Sequence, residues 1–469
     1  MPEVKVPIIC GDKIGLNNDY YDAIPVNLIA AMRDLEGSTG YLHSHDGLSV
    51  GSNNGYGGIR GALYNERMGK SFRVANYMYG LELNSIRFYM PTFSDNAIAG
   101  TGWVSMPYSF NSFLVVSGGN VYRFDGTNLL QLTDPDLGQP IDATWIDGYY
   151  VFVDEDYIYH TDIVDETSID PLKFATAEIS PDKNKAVGKT QDDLLVVFGR
   201  YTIEYFVNQG NEQFAFTRLN QKALSVGIVG TKCWAEMGGQ LFILGGRKEE
   251  QPSIHSVGTG QAISIATRTI DYIINSYTEE ELAQAKLETR TVDGNQLLYA
   301  ILPNDTLVFN STVAQKLGVN SAWSKLESNG VRWVGANIIY DPIFTSWMCG
   351  DIELGINYNL LKTTASQNGY PVDSYFYTPF VPAESFSVDE LEITTIGGFN
   401  TETTAMYVST TSDGASYSTE YSKELSIPLN YQNRYIIRRL GYVRKKVGYK
   451  FRAKHKDKLN VSGLVIRGS

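Results

Sequence analysis

Short apolar runs separated by two-residue turns recur along the middle of this chain, and no other feature constrains its fold as much. Residues 111–133 read NSFLVVSGGNVYRFDGTNLLQLT, with Phe113–Val116, Val121–Phe124 and Leu129–Leu132 separated by SGGN and DGTN. Glycine enters the positive-φ region at no steric cost, so Gly-Gly or Asp-Gly between apolar runs is the strongest short-range signal of a β-hairpin. The pattern returns at 143–160 around Asp147-Gly148, at 192–207 around Gly199-Arg200, at 234–244, at 289–309 and at 333–355. The starts of these units lie roughly 40–55 residues apart, the length of one four-stranded propeller blade. Strands at this spacing fit a sandwich or barrel as well. The hairpins persist for about 300 residues without a helix-rich interruption, which favours a propeller of six or seven blades. No WD or kelch signature accompanies them.

The composition agrees. Tyr makes up 31 and Gly 44 of the 469 residues, and Tyr suits a half-buried pleated surface. The expected architecture is all-β. Residues 1–60 form an N-terminal segment, 61–370 a β-propeller, and 371–469 a small C-terminal β-sandwich-like domain that is strongly basic from 431. Residues 2–10 or 41–50 are candidates to close the ring by adding a strand to the last blade. The stretch 361–390, with Pro371, Pro379 and Pro382, reads as a linker or crossover. After it, Leu391–Ile396, Ala405–Thr410, Tyr435–Arg439, Tyr442–Val447, Tyr449–Ala453 and Leu464–Arg467 are candidate strands, with a hairpin turn at Asp413-Gly414. One segment breaks the pattern. SYTEEELAQAKLE (276–288) opens with Thr278 and Glu281 in capping-box spacing and is expected to be a short helix, either a connector or a docking element.

Several function classes are excluded or unsupported. The longest apolar runs are about five residues, too short for a membrane-spanning helix. The N-terminus MPEVKVPIICGDK lacks an apolar core for a secretory signal. Cys10, Cys233 and Cys349 are odd in number and far apart, so neither a disulfide framework nor a zinc site is expected, and folding in a reducing cytoplasm is. There is no GxSxG, GxxxxGK[ST], HExxH or CxxC. His43-Ser44-His45-Asp46 is the one His cluster in the sequence and reads as polar turn residues rather than a metal site, for want of a third ligand. TTSDGASY (410–417) resembles the Asp-box hairpins of sialidase-type propellers but lacks the terminal Trp and does not repeat. Carboxylates such as Asp154, Glu155, Asp156, Asp192 and Asp193 keep a carbohydrate-binding or glycoside-hydrolase propeller open as the alternative, because that chemistry needs two carboxylates at the right separation. No catalytic, cofactor or metal residue is assigned.

The net charge of −13 hides an asymmetry. Residues 431–469 hold 12 of the 39 Lys and Arg but one of the 52 Asp and Glu, so they carry +11, and the rest of the chain carries −24. In YKFRAKHKDK (449–458) a strand would place Lys450, Arg452, Lys454, Lys456 and Lys458 on one face and Tyr449, Phe451 and Ala453 on the other. Arg438, Arg439, Arg444, Lys445 and Lys446 lie just upstream. These ten are the candidate contact residues. A row of like charges is self-repelling and suits open water, an acidic protein surface or DNA phosphate. A flat basic strand face would read no bases.

Several stretches, in the same order along the chain, carry a resemblance. DYYDAIPVNLIA (19–30), GYLHSHDGLSV (40–50), YTIEYF (201–206), VGTGQAISIAT (257–267) with SYTEEELA (276–283), and GYVRKKVGYKFRAKHKDKLNVSGLVIRG (441–468) resemble the packaged-DNA stabilisation protein, or tail hub, of short-tailed phages. Residues 51–110 and many hairpin loops do not obviously match. The resemblance implies a non-enzymatic virion protein without a cofactor, made in the host bacterial cytoplasm. It implies a homo-oligomeric ring, a hexamer, below the portal and its adaptor ring. That ring would extend the DNA channel, retain packaged DNA until ejection, and dock the tail needle and the tailspikes or tail fibres. Double-stranded DNA would pass without sequence readout, and the acidic body would keep it sliding.

Overall fold

A computed structural model describes residues 3–14, 19–35, 38–83, 85–90, 97–163, 165–177, 180–258, 260–382, 385–432 and 434–468. Residue 2 of the expected closing segment and residues 383–384 of the expected linker lie outside them. Among the described residues, seven antiparallel sheets follow one another along the chain. They run from Gly61–Asn65 to Ser85–Tyr89, Phe113–Ser117 to Leu129–Gln131, Asp142–Ile146 to Ile169–Ala175, Asn184–Lys189 to Phe216–Arg218, Gly227–Ile228 to Gln261–Ser264, Lys286–Val292 to Val331–Arg332, and Gly335–Asp341 to Ile356–Leu361.

The sheets pack face to face, which explains why their strands read as unbroken apolar runs. In the second sheet, Phe113 and Val115 pack on Phe72 and Val74 of the first, while Leu114 and Val116 pack on Ala143 and Phe152 of the third. The turns behave as their chemistry requires. Gly118-Gly119, Asp147-Gly148, Gly238-Gly239 and Asp293-Gly294 all have positive φ at both residues, the type I′ conformation whose twist matches paired strands. The first and seventh sheets close the ring. Arg73 Nη1 donates to the Asn337 carbonyl at 3.1 Å, and Asn337 Nδ2 donates to the Ile59 carbonyl at 2.8 Å. Strand Gly47–Asn53 pairs with Ile356–Leu361 as the fourth strand of the seventh sheet.

Gly11–Ile14 and Tyr20–Ala23 pair as a two-stranded sheet, and the remaining strands form two further sheets. One contains Val372–Tyr377, Lys446–His455, Thr404–Thr411 and Tyr421–Ser426, with Val381–Pro382 against Lys446–His455. The other orders Leu28–Leu35, Ser38–Ser44, Asn460–Gly468, Phe386–Thr395 and Tyr435–Val443, with Glu3–Val6 also pairing to Asn460–Gly468. Phe376, Met406, Val408 and Phe451 from the first, and Leu391, Ile393, Val461 and Ile466 from the second, join a core that continues into the propeller through Leu28, Leu42 and Trp323.

Residues 1–60 are therefore not one segment. Glu3–Val6 and Ser38–Ser44 pair with Asn460–Gly468, and Gly47–Asn53 with Ile356–Leu361, all partners more than 300 residues away, while Gly11–Ile14 pairs locally with Tyr20–Ala23 and Leu28–Leu35 with Ser38–Ser44. Val372–Tyr377 is a strand inside the stretch read as a linker. Its alternation, with Val372, Ser374 and Phe376 inward, is masked by flanking prolines. The expected helix shrinks to one turn, Glu279–Leu282, with the Thr278–Glu281 capping box in place. From Lys286 the chain turns into a strand, because the Asp293-Gly294 turn pairs Lys286–Val292 with Asn295–Ile301 along its whole length. Two helices were not foreseen, Arg268–Ile274 and Ser311–Leu317. The second has a readable signal, since Asn310 caps it and Gly318 ends it. No helix among the described residues is long and apolar enough to cross a membrane.

Candidate functional site

The basic C-terminal strands alternate as their sequence dictates. In Lys446–His455, Tyr449, Phe451 and Ala453 are buried while Lys450, Arg452 and Lys454 face outward. The five-cation ladder is shorter than expected. The strand ends at His455, so Lys456 and Lys458 leave that face.

Most of the candidate cations are engaged within the chain. Arg452 donates to Glu420 at 2.6 and 3.0 Å and lies 3.6 Å from Asp373 and 4.3 Å from the centre of the Tyr407 ring. Arg438 pairs with Glu390 at 3.0 Å and Lys456 with Glu402 at 3.0 Å. Lys446 sits 3.9 Å from the Phe380 ring centre, and Lys450 5.0 Å from that of Tyr375. Arg439, Arg444, Lys445 and Lys454 are exposed and have no ion pair among the described residues. Arg439 has φ 63° in a bulge, where two residues of Tyr435–Val443 oppose one of Phe386–Thr395. Arg444 and Lys445 form the turn that carries the chain from Tyr435–Val443 in one C-terminal sheet to Lys446–His455 in the other. This sorting has a measurable consequence. Arg452→Glu should lower the melting temperature, because it sets a third carboxylate beside Glu420 and Asp373. Arg444→Glu and Lys454→Glu should each stay within ~0.5 kcal/mol of the parent in a thermal or urea melt.

Lys458 belongs to a second cluster, at the junction of the propeller and the C-terminal sheets. Its ammonium donates to Asp46 at 2.8 Å and to the carbonyls of Ser44 and His45 at 3.1 Å. Asp46 also accepts from the buried Arg290 at 2.5 Å. Burial alone would raise the Asp46 carboxyl, but Lys458 and Arg290 outweigh it and hold the group well below the usual carboxylate range. His45 is not a turn residue at the surface. It is buried, its Nε2 lies 3.0 Å from the Tyr299 hydroxyl, and its ring stands edge-on to Trp333 at 5.2 Å. Burial pushes its pKa down to about 3 and lowers that of His43 as well. A cavity of about 410 Å³ opens beside this cluster. Among the described residues no group of three or more His, Cys, Asp or Glu could hold a metal ion. The sequence could not have found the cluster, because Asp46, Arg290 and Lys458 are more than 160 residues apart.

The centre of the propeller is occupied. Contacts between sheets that are not neighbours mark the axis. Lys232 of the fifth sheet donates to Asp142 of the third at 3.0 Å and to Ser105 at 2.5 Å. Lys286 of the sixth lies 4.9 Å from the ring centre of Trp103, which precedes the second. Trp103 Nε1 donates to the Gln284 carbonyl at 2.7 Å. The two carboxylates here are tied. Asp142 accepts from Lys232, Ser105 and the Val187 amide, and Glu288 from Lys286 and the amides of Asn337 and Ile338. A glycosidase needs a free acid and a free base or nucleophile facing its sugar, and these two face lysines and backbone amides. Of the carboxylates noted from the sequence, Asp154 and Asp156 lie at a hairpin turn, and Glu155 pairs with Lys183 and Asp193 with Lys189.

Comparison with known proteins agrees with this architecture. The family described as "Bacteriophage P22 Gp10, beta-propeller" matches residues 4–365, and "Bacteriophage P22 Gp10, beta-sandwich" matches residues 373–469. Strands Leu28–Leu35 and Ser38–Ser44 fall inside the first match yet pair in the sandwich sheet. The tail hub protein gp10 of Salmonella phage P22 is 30% identical over 494 aligned residues, covering 100% of both chains. Among solved structures, a catalytically inactive virginiamycin B lyase from Staphylococcus aureus has a TM-score of 0.45 at 15% identity, over 66% of this chain and 97% of that one. The Neurospora crassa Pan2 WD40 domain has a TM-score of 0.41 at 8% identity, over 68% of this chain and 94% of that one. With both family descriptions matched in order and a full-length relative among them, this chain belongs to the bacteriophage P22 Gp10 family, a β-propeller followed by a β-sandwich.

Proposed function

We propose that this protein is a structural tail hub of a short-tailed phage. Its copies form a hexameric ring around the DNA exit channel below the portal and adaptor. The ring retains packaged DNA, docks the tail needle and the tailspikes or fibres, and opens the way for ejection. The chain is made in the host cytoplasm and acts in the virion tail, without catalysis or cofactor. The observation that carries this reading is the 30% identity to a tail hub protein across the whole of both chains. The propeller supports it, since the carboxylates at its axis are engaged by lysines. Trp103, Lys232 and Lys286 make contacts across that axis, which supports a DNA channel between copies rather than through one. A body of −24 lining such a channel repels phosphate and keeps DNA mobile. The exposed cations Arg439, Arg444, Lys445 and Lys454 are the part of the basic region left for a partner.

The test is a phage lacking the gene for this chain. Its heads should fill with DNA and then lose it, and restored expression should keep them full. Heads that stay full and infectious without the chain would overturn the reading.

A further inference from the structure

The outer edge of the third sheet carries an unusual surface. Its last strand, Ile169–Ala175, exposes Leu172 (76%) and Phe174 (48%), and Tyr157 beside it is also exposed. The rings of Tyr157 and Phe174 meet edge-to-face at 5.3 Å. A groove of about 300 Å³ runs here, lined by these two rings, Tyr159 and the carboxylates of Asp136, Asp154 and Asp170. Asp136 and Asp154 have no ion pair among the described residues, and Asp170 has Lys173 at 3.8 Å, which is closer to Asp162 at 2.6 Å. Aromatic faces beside carboxylates attract a guanidinium or an ammonium. An exposed apolar strip with a charged rim is the usual form of a protein contact rather than of free surface.

The charge around the groove points to its occupant. Of the 11 Asp and Glu in residues 134–170, Asp142 is tied to Lys232 at the axis and Glu155, Asp162 and Glu166 pair with Lys183, Lys173 and Arg123, while Asp136 and Asp154 face the groove without an ion pair among the described residues. In the basic region the Arg444-Lys445 turn is exposed and free of ion pairs among the described residues, with Tyr442 60% exposed beside it. That turn is a cationic knob with an aromatic flank, and the groove is an anionic hole with aromatic walls. We propose that the groove on the third sheet receives the Arg444-Lys445 turn of a neighbouring copy of this chain. The contact joins two different surfaces, so it is head-to-tail, and repeated around an axis it closes a ring. This inference rests on the hub reading and names the surfaces that would join the copies.

The test uses intact particles. Asp154→Cys and Lys445→Cys are introduced together, and particles are oxidised mildly and run without reducing agent. A disulfide forms only between Cα atoms within about 7 Å, and native Cys233 and Cys349 are buried while Cys10 is half-buried. The expected result is a ladder of covalent multimers in the double variant, with monomers in each single variant and in the parent. A double variant that enters tails normally and stays monomeric overturns the pairing. Where the substitutions block entry, charge reversal decides. Arg444→Glu with Lys445→Glu, or Asp136→Lys with Asp154→Lys, should each cut incorporation about tenfold or more, and all four together should restore it. Failure to restore overturns the pairing in favour of another partner or DNA for the turn. A parent chain absent from particles would instead remove the hub reading, and this inference with it.

Discussion

Deleting residues 1–44 should unfold the C-terminal domain while the propeller survives. The deletion removes Glu3–Val6, Leu28–Leu35 and Ser38–Ser44 from a sheet whose other strands lie beyond residue 385. Leu28 and Leu42 are fully buried, and Val6 and Ile8 nearly so. Four such side chains are worth about 1.5–3 kcal/mol each, together on the order of 10 kcal/mol, which is comparable with the whole stability of a domain. The cut also leaves one edge of Asn460–Gly468 unpaired, a template for aggregation. Gly47–Asn53 remains, so the seventh propeller sheet keeps its fourth strand. Calorimetry should show one transition kept and one lost, and hydrogen exchange should find the amides of 460–468 unprotected. A fragment of residues 371–469 should fail to fold alone, and a cooperative melt from it would contradict this account of the domain.

Asp46→Asn should be the most damaging single substitution at the junction. It leaves Arg290 and Lys458 near each other and buried without their shared carboxylate, and breaking a buried pair from one side costs about 3–5 kcal/mol. Two buried histidines, His45 in this cluster and His455 beside Ser374, make stability acid-sensitive. The folded pKa of His45 is about 3 and that of His455 about 4, both below the ordinary histidine value through burial. The unfolded chain therefore binds protons that the folded chain refuses. Stability is full above pH ~6.5, the unfolded histidine value, and falls as the pH drops from there toward 3 to 4. The Asp46 carboxyl, depressed by Lys458 and Arg290, contributes stability above pH ~4 that is lost below it. Urea midpoints should thus decline between pH 7 and 5, before carboxylates titrate. His45→Phe should flatten that slope at some cost in stability, from the lost Tyr299 contact.

The propeller was legible because its signals are local. Asp147-Gly148 and Asp293-Gly294 announce their turns from two residues, and FLVVS at 113–117 announces a strand buried on both faces. What was not legible depends on distance. Nothing in Leu28–Leu35 says that its sheet continues into Asn460–Gly468, and nothing in His45 says that it lies under Trp333. The helix expected at 276–288 ends at Leu282, and from Lys286 pairing with Asn295–Ile301 outweighs local propensity, which the capping box at Thr278 reports only for the first turn. The basic row was legible as an alternation, but not its neutralisation. Glu420 and Glu402 come from other strands and loops, and only the pairing of Lys446–His455 with its neighbours sets them opposite Arg452 and Lys456.

Cryo-electron microscopy of purified phage particles tests the central claim most directly. The account predicts a ring of copies of this chain below the portal and adaptor, with propeller and sandwich density around a DNA channel that runs between copies. Tails of infectious particles in which this chain is absent, or present but away from the channel, would contradict it.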